Sequence, residues 1–424
     1  MGDRDKSSRR DDSVSRIGRR KFLTNCGKFA VAAPPVAAQM LSANPSHATQ
    51  QGPAADPQPQ AQPSEGFAKP LEIQEPLHRP ALMQLFRDLD KHAVVDYEAL
   101  KIKFRPTEEN AKENSKRLQD WLDDLGSWRF VAWPERSIPI WSLENRRRAQ
   151  RWISSGARFQ CFADDGSDAL WLQQEDQAAY GFLFTLGGNR EYSQGGAAIK
   201  LWDPNLPLDG SRVGTTRHVI VSGCEIIGSP RDGRGIEFIF AELAELSHCT
   251  MHGVHGIALH AHKAQRPSGG SINNIFSQLT IRRPLGPGPA VFFEFVMSSY
   301  FNAIQVLNDQ HEGWGLHLRD CYGATLKRWD CEALFGSDSV GVVLEDCRDV
   351  DAQGGTTWNS ERRVLIRGGR NIHVKGQRIG NPKDVPIEYD VRIEGGCEGA
   401  YIWGHDLKVE KQIGSSAFYN GEPI

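Results

Sequence analysis

The sequence predicts an all-β protein, a single-stranded parallel β-helix in which short strands wind into a solenoid. Three observations carry this. The phrase GLHLRDC at residues 315–321 returns as GVVLEDC at residues 341–347, 26 positions later. Short apolar bursts, often opened by glycine, begin at Gly235, Gly256, Ala290, Gly315, Gly341 and Val364, in steps of 21 to 34 residues. Secondary bursts rich in Val, Ile and Phe fall between them, at residues 218–227, 272–281, 302–307 and 371–376, with turn formers at their ends and no helical pattern intervening. Two or three strands per repeat of this length suit a coil in which each strand pairs with its equivalent one turn above, about 4.8 Å away. A propeller needs blades of about 40–45 residues, and a β-sandwich spaces its strands irregularly.

Composition is compatible with one large domain: 424 residues, 39% hydrophobic and 24% charged. A net charge of −3 lacks the basic footprint of a nucleic-acid partner. Of the eight cysteines Cys26 lies near the N-terminus, leaving seven with no CxxC spacing. Buried thiols are therefore expected rather than a disulfide scaffold or a zinc site.

The elements follow in chain order. Residues 1–48 read as a targeting segment. Arg19 and Arg20 precede Phe22 and Leu23, an alanine-rich stretch follows at 29–41, and SHA at 46–48 suits a signal peptidase. This resembles a twin-arginine export signal, a receptor-read address that implies a bacterial protein folded before it reaches the periplasm or the medium. Pro34 and Pro35 interrupt the apolar run, which is too short for a membrane span. A basic disordered arm is the alternative. Residues 49–80, dominated by Gln, Pro and Ala, have little to bury and are expected to be a disordered linker. The β-helix domain is then expected over 81–424.

Leu118, Trp121, Leu122 and Leu125 repeat at helical spacing within residues 114–128, and Gly126 ends the pattern. A strand, a proline turn and a second strand follow at 129–140. Together Leu118-Gln119 and the stretch from Val131 to Pro134 resemble the opening of the pectin-lyase-like right-handed β-helix superfamily, whose amphipathic helix caps the lumen. Here that cap falls around 110–126, although Glu135 and Arg136 replace the usual Ala-Gly. The resemblance spans about residues 110–407 and implies a right-handed coil that acts on carbohydrate. It transfers no catalytic residue: MHGVHG at 251–256 only echoes a G-H-G motif, and the W-x-D-H of pectate lyases is absent.

If apolar positions face inward, Leu316 stacks on Val342, Leu318 on Leu344, and Cys321 neighbours Cys347. Counting from Ile236, Ile257, Val291, Leu316, Val342 and Leu365 as first inward residues, two outward rows result. One reads Glu237, Ala258, Phe292, His317, Val343, Ile366; the other reads Ile239, His260, Glu294, Arg319, Glu345, Gly368. The candidate catalytic stripe is therefore Glu294, His317, Arg319 and Glu345, joined by Asp320 one step on, with His260 beside them. Glu294 and Glu345 lie two coils apart, about 9–10 Å between backbones, close to the 6.5–9.5 Å of inverting glycosidases. Asp320 and Asp346 on adjacent coils would share a proton or hold Ca²⁺, the one metal these residues suggest. The plain alternative is ordinary cross-strand charge pairing.

Two further clusters offer substrate contacts. His252, His255, His260, His262 and Lys263 crowd residues 251–263, where His260 and His262 share a strand face; a metal site there lacks zincin spacing. Residues 308–314 read as a polar loop with Asp309, His311 and Glu312, ending at Trp314, which either stacks on a sugar or packs beneath the turn. The expected function is an exported enzyme that cleaves glycosidic bonds of a polysaccharide or oligosaccharide, by hydrolysis or β-elimination. The alternatives are a uronate epimerase and a non-catalytic carbohydrate-binding protein. The superfamily resemblance also admits a homotrimer.

Overall fold

The computed structural model describes residues 92–424 apart from 187–195, 206–215, 229–232, 263–270, 286–287, 312, 335–338, 359, 376–377 and 381–386. All described residues fall within the compact unit Pro76–Ile424. The targeting segment and the linker expected over residues 1–80 lie outside them.

The helix Glu108–Leu125 begins with Thr107, whose side chain accepts from Asn110 N, and carries Glu108 and Glu109 in its first turn. Both features satisfy the N-terminal amide dipoles. Gly126 ends it at φ +73°, a conformation glycine adopts without strain. The helix starts six residues earlier than the apolar pattern alone suggests, because Thr107 and the acidic pair extend it. Leu118 and Leu122 are buried in the main core, with Trp121 and Leu125 packed against it. The polar side chains do the work of a missing strand. Gln119 accepts from Glu144 N at 2.8 Å and donates to Glu144 O at 2.9 Å, and Ser115 Oγ accepts from Trp141 N at 2.8 Å. Backbone groups of the first coil are thereby paired at an end that would otherwise be open.

Above the cap the chain is a parallel β-helix, and among the described residues its strands fall into sheets of 22, 11 and 4 strands. The eleven-stranded sheet positions the site. It runs Leu143–Asn145, Leu170–Leu172, Ala197–Leu201, Arg234–Ile239, Leu259–His262, Val291–Glu294, Trp314–Arg319, Val340–Glu345, Arg362–Arg367, Tyr389–Glu394 and Val409–Lys411. Every neighbouring pair is parallel. Leu316 pairs with Val342 and Leu318 with Leu344, and all four are buried. The seven cysteines of the coils, Cys321 and Cys347 among them, are buried thiols. At the far end, Ser416–Tyr419 pairs antiparallel with Glu422–Pro423, the turn that closes the last coil. Among the described residues no helix is long and apolar enough to cross a membrane.

The register corrects two phases. Ile236 pairs with Leu259, not with Ile257, so the strand begins two residues later than the glycine of GIAL suggests. The chain at Gly256 and Ile257 is still turning. Val342 pairs with Val364, so Val364 and Ile366 take the inward positions and Leu365 faces out. A slip of one residue exchanges the two faces of a strand; Arg363, fully buried beside Asp390 with Nη1 2.6 Å from Oδ1, hides this phase by standing opposite Gly341, where the repeated phrase has its glycine. The loop expected at 308–314 is also corrected. The strand Tyr300–His311 continues through Asn308 and Asp309, with a register irregularity between Leu307 and His311.

Five principal strands, Arg234–Ile239, Val291–Glu294, Trp314–Arg319, Val340–Glu345 and Arg362–Arg367, are each followed by a residue in the left-handed region: Phe240, Phe295, Asp320, Asp346 and Gly368, at φ between +50° and +65°. These corners bend the chain out of the sheet. Asp tolerates this region better than most residues, which is one reason the D-C phrase recurs.

Candidate functional site

With the register known, the outward positions of the eleven-stranded sheet can be assigned. One row reads Trp171, Lys200, Glu237, His260, Phe292, His317, Val343, Leu365 and Arg392. The next contains Ile239 and His262, then Glu294, Arg319, Glu345, Arg367 and Glu394. His260 therefore belongs with Glu237 in the first row, and His262 takes the place expected for it in the second. Arg367 and Leu365 replace Gly368 and Ile366.

Toward the N-terminal end the face forms a dense polar cluster on an aromatic shelf. Trp171 and Trp202 stack with centroids 5.6 Å apart, and Trp171 Nε1 donates to Trp202 O at 2.8 Å. The Lys200 ammonium lies 5.5 and 5.4 Å from the two ring centroids, in cation–π range. It also reaches Asp168 Oδ2 at 3.3 Å and Glu237 Oε2 at 3.8 Å. Burial raises the Asp168 carboxyl above its ordinary value, only partly opposed by Lys200 and by Ala197 N, which donates to it at 2.8 Å. Burial also acts to raise Glu237, but His262, Arg234 and Lys200 together outweigh it and hold that carboxyl below its usual range. His262 Nε2 donates to Glu237 Oε1 at 2.9 Å, and Arg234 pairs with the same oxygen.

Rings continue the ladder up the coils. His262 stacks on His260 at 4.1 Å, His260 on Phe292 at 5.1 Å, and Phe292 on His317 at 4.7 Å. Arg319 caps Phe292 at 4.9 Å and pairs with Glu294. His317 Nε2 donates to Glu345 Oε2 at 2.9 Å, and Arg367 reaches Glu345 Oε1 at 3.7 Å and Glu394 at 2.9 Å. Burial drives the His260 imidazole down to about 2, assisted by the charges of His262, Arg234 and Arg319. It drives His317 down to about 4 against the pull of Glu345. Both rings are consequently neutral at physiological pH.

The structure thus brings together Glu294, Arg319, Glu345 and His317, with His317 only 3% exposed. Trp314 opens the strand Trp314–Arg319 and meets His317 edge-on at 4.7 Å while packing on Val340, Val343 and Leu365, which is the packed arrangement rather than the free one. Asp320 occupies a left-handed corner one residue beyond the row. Asp346, at the equivalent corner, points its Oδ1 at Gly368, where an added Cβ would approach it to 2.2 Å. Among the described residues the group of three metal-type donors is Glu237, His260 and His262, and it includes neither aspartate. Lys263 lies outside the described residues, as do the side chains of Asp309 and His311.

Sequence reasoning missed Asp168, Trp171, Lys200, Trp202 and Arg234. The first four belong to coils whose strands are three to five residues long and lack the glycine-led phrase, and Arg234 stands one residue ahead of the burst opened by Gly235. Glu237 was in an outward row, but only the correct phase of the neighbouring strand sets His260 beside it.

No known family model matches this sequence, and no curated protein matches it. Among solved structures it is similar to the Streptococcus pneumoniae surface protein and adhesin PfbA, at 10% identity over 77% of this chain and 98% of that chain, with a TM-score of 0.48. It is similar to the mannuronan C-5 epimerase AlgE4 A-module of Azotobacter vinelandii, at 13% identity over 75% and 98% of the two chains, with a TM-score of 0.42. The enzymatically active domain of tailspike protein 2 from bacteriophage CBA120 gives 9% identity, 68% coverage of this chain and a TM-score of 0.49; the present chain spans 44% of that one.

Proposed function

We propose that this chain is an exported, carbohydrate-active β-helix protein that cleaves glycosidic bonds of a polysaccharide laid along the outer face of the eleven-stranded sheet. One observation carries the reading: along that face a shelf of Trp171 and Trp202 is followed by the charged Lys200 and Glu237 and then by the rings of His260, Phe292 and His317. Rings offer stacking surfaces for pyranose faces, and a rigid sheet presents them at a rise of about 4.8 Å per coil, comparable to the length of one sugar residue.

The reacting centre in this reading is Glu294, Arg319 and Glu345. Two adjacent-coil steps separate the carboxylates, about 9–10 Å between backbones, at the upper edge of the inverting range. In hydrolysis Glu345, oriented by the His317 N–H, activates water, and Glu294 protonates the leaving oxygen. In β-elimination the base removes the proton α to a uronate carboxylate whose charge Arg319 neutralises. Epimerisation begins with that same abstraction.

A second reading, binding without cleavage, is favoured by the pairing itself. Glu294 is engaged by Arg319, and Glu345 by His317 and Arg367, as in structural cross-strand pairs. Incubation of the purified mature protein with a polysaccharide panel separates the readings. New ultraviolet absorbance from an unsaturated uronate indicates elimination, reducing ends without it indicate hydrolysis, and binding without products indicates a module. The Glu294→Gln, Glu345→Gln double variant is expected to lose product formation by about 100-fold or more; undiminished turnover removes this centre.

A further inference from the structure

We propose that Glu237, His260 and His262 form a binding site for one divalent transition-metal ion, of the borderline class that includes Zn²⁺ and Co²⁺. This inference is independent of whether the chain cleaves glycans. Its basis is placement. His260 and His262 are two residues apart on the strand Leu259–His262, so their side chains leave the same face, and Glu237 pairs with His260 on the adjacent coil. Three donors on two neighbouring strands converge, with donor atoms within 4.8 Å of one another. The two imidazoles are stacked within 15° of parallel, centroids 4.1 Å apart, so their in-plane lone pairs run side by side and one ring has to turn for both to meet a single ion.

A second observation singles out this site. His260 is 7% exposed, and neither Nδ1 nor Nε2 has a hydrogen-bond partner. A buried polar atom without a partner is destabilising, whereas an imidazole nitrogen bound to a metal is satisfied. Nitrogen donors with one carboxylate select borderline ions over the hard, oxygen-seeking Ca²⁺. Three protein ligands leave positions open for water or a substrate oxygen.

Binding requires three local adjustments, the first a side-chain rotation that turns the His262 ring out of its stack on His260. His262 takes the tautomer with its proton on Nδ1, which frees Nε2. The Arg234 guanidinium, whose side chain is 34% exposed, swings away from Glu237 Oε1 toward solvent. Lys200 keeps its contact with Glu237 Oε2, so one oxygen remains for the metal.

The test is titration of the full, EDTA-treated chain with Co²⁺, read by its visible ligand-field bands, followed by Zn²⁺ competition. The expected result is one equivalent bound, displaced by Zn²⁺ and unaffected by equimolar Ca²⁺. His262→Asn should weaken binding by about 100-fold or more, Glu237→Gln by about 10-fold or more, and Arg234→Met should tighten it, in line with the loss of one ligand or of one competing cation. His262→Asn alters a partly exposed side chain and keeps the test valid if His260→Ala fails to fold, with near-ultraviolet circular dichroism as the folding control. Bands that stay those of free aqueous Co²⁺ in the wild type overturn the proposal, and so do bands that persist unchanged in folded His262→Asn.

Discussion

His317 and Glu345 meet across adjacent coils, Nε2 to Oε2 at 2.9 Å, with the imidazole wedged between Phe292 and Trp314. Burial keeps this ring neutral until about pH 4, while Arg319 and Arg367 also oppose its protonation and Glu345 favours it. An unfolded histidine titrates near 6.5. The unfolded chain thus binds a proton that the folded one refuses, so this contribution is complete above about pH 6.5 and declines as pH falls toward 4. By pH 5 the loss is on the order of 2 kcal/mol. Urea midpoints at about pH 7.5 and 5 check it, and His317→Gln should flatten the dependence. A slope unchanged in that variant excludes His317 as its source.

Trp202 provides one half of the shelf at the N-terminal end of the face. Trp202→Ala removes its ring from Trp171 and Lys200 without touching Glu294, Arg319 or Glu345. Polysaccharide affinity should drop about tenfold, which is about 1.4 kcal/mol, with the melting temperature nearly unchanged. Affinity gels with the wild type and the variant measure it, and equal retardation would remove the shelf from the binding surface.

Arg363 and Asp390 are a buried ion pair, 0% and 3% exposed, in which Asp390 Oδ2 also accepts Lys408 N at 2.7 Å. Asp390→Asn leaves a guanidinium buried without its counter-charge and should destabilise by about 3–5 kcal/mol. The double change Arg363→Met, Asp390→Leu should recover most of this loss. Chemical denaturation of both variants decides; a single variant as stable as the wild type would show that the pair is structurally neutral.

Arg19 and Arg20 are expected to address the chain for export in the folded state. Replacing both with Lys should retain the protein in the cytoplasm, whereas the parent accumulates outside it in a bacterial host with twin-arginine machinery. Fractionation and immunoblotting read the outcome, and equal export of the two would point to a different route.

Much of the coil could be read directly because its repeated phrase is physical. Gly–apolar–x–Leu–charged–Asp–Cys encodes a turn, two inward residues, one outward charge, a left-handed corner and a buried thiol, and the second copy stacks on the first as expected. Where the phrase degraded, the phase was lost. Gly256 imitates the glycine that opens other strands but lies in a turn, and buried Arg363 replaces the glycine that would mark the phase of its strand. Glu294, Arg319 and Glu345 fall within or beside intact copies, so their alignment was legible. Glu237 beside His260, and Asp168 beside Lys200, were not.

By itself, then, the sequence determined the solenoid, the cap at its entrance and the side of each well-marked strand that meets solvent. These follow from local periodicity and from turn chemistry, which short segments carry on their own. Where the phrase is absent or broken, which residues become neighbours on successive coils was decided only by tertiary structure. That depends on the lengths of the intervening turns, since hydrogen bonding between coils, not spacing along the chain, sets the register that brings His260 beside Glu237.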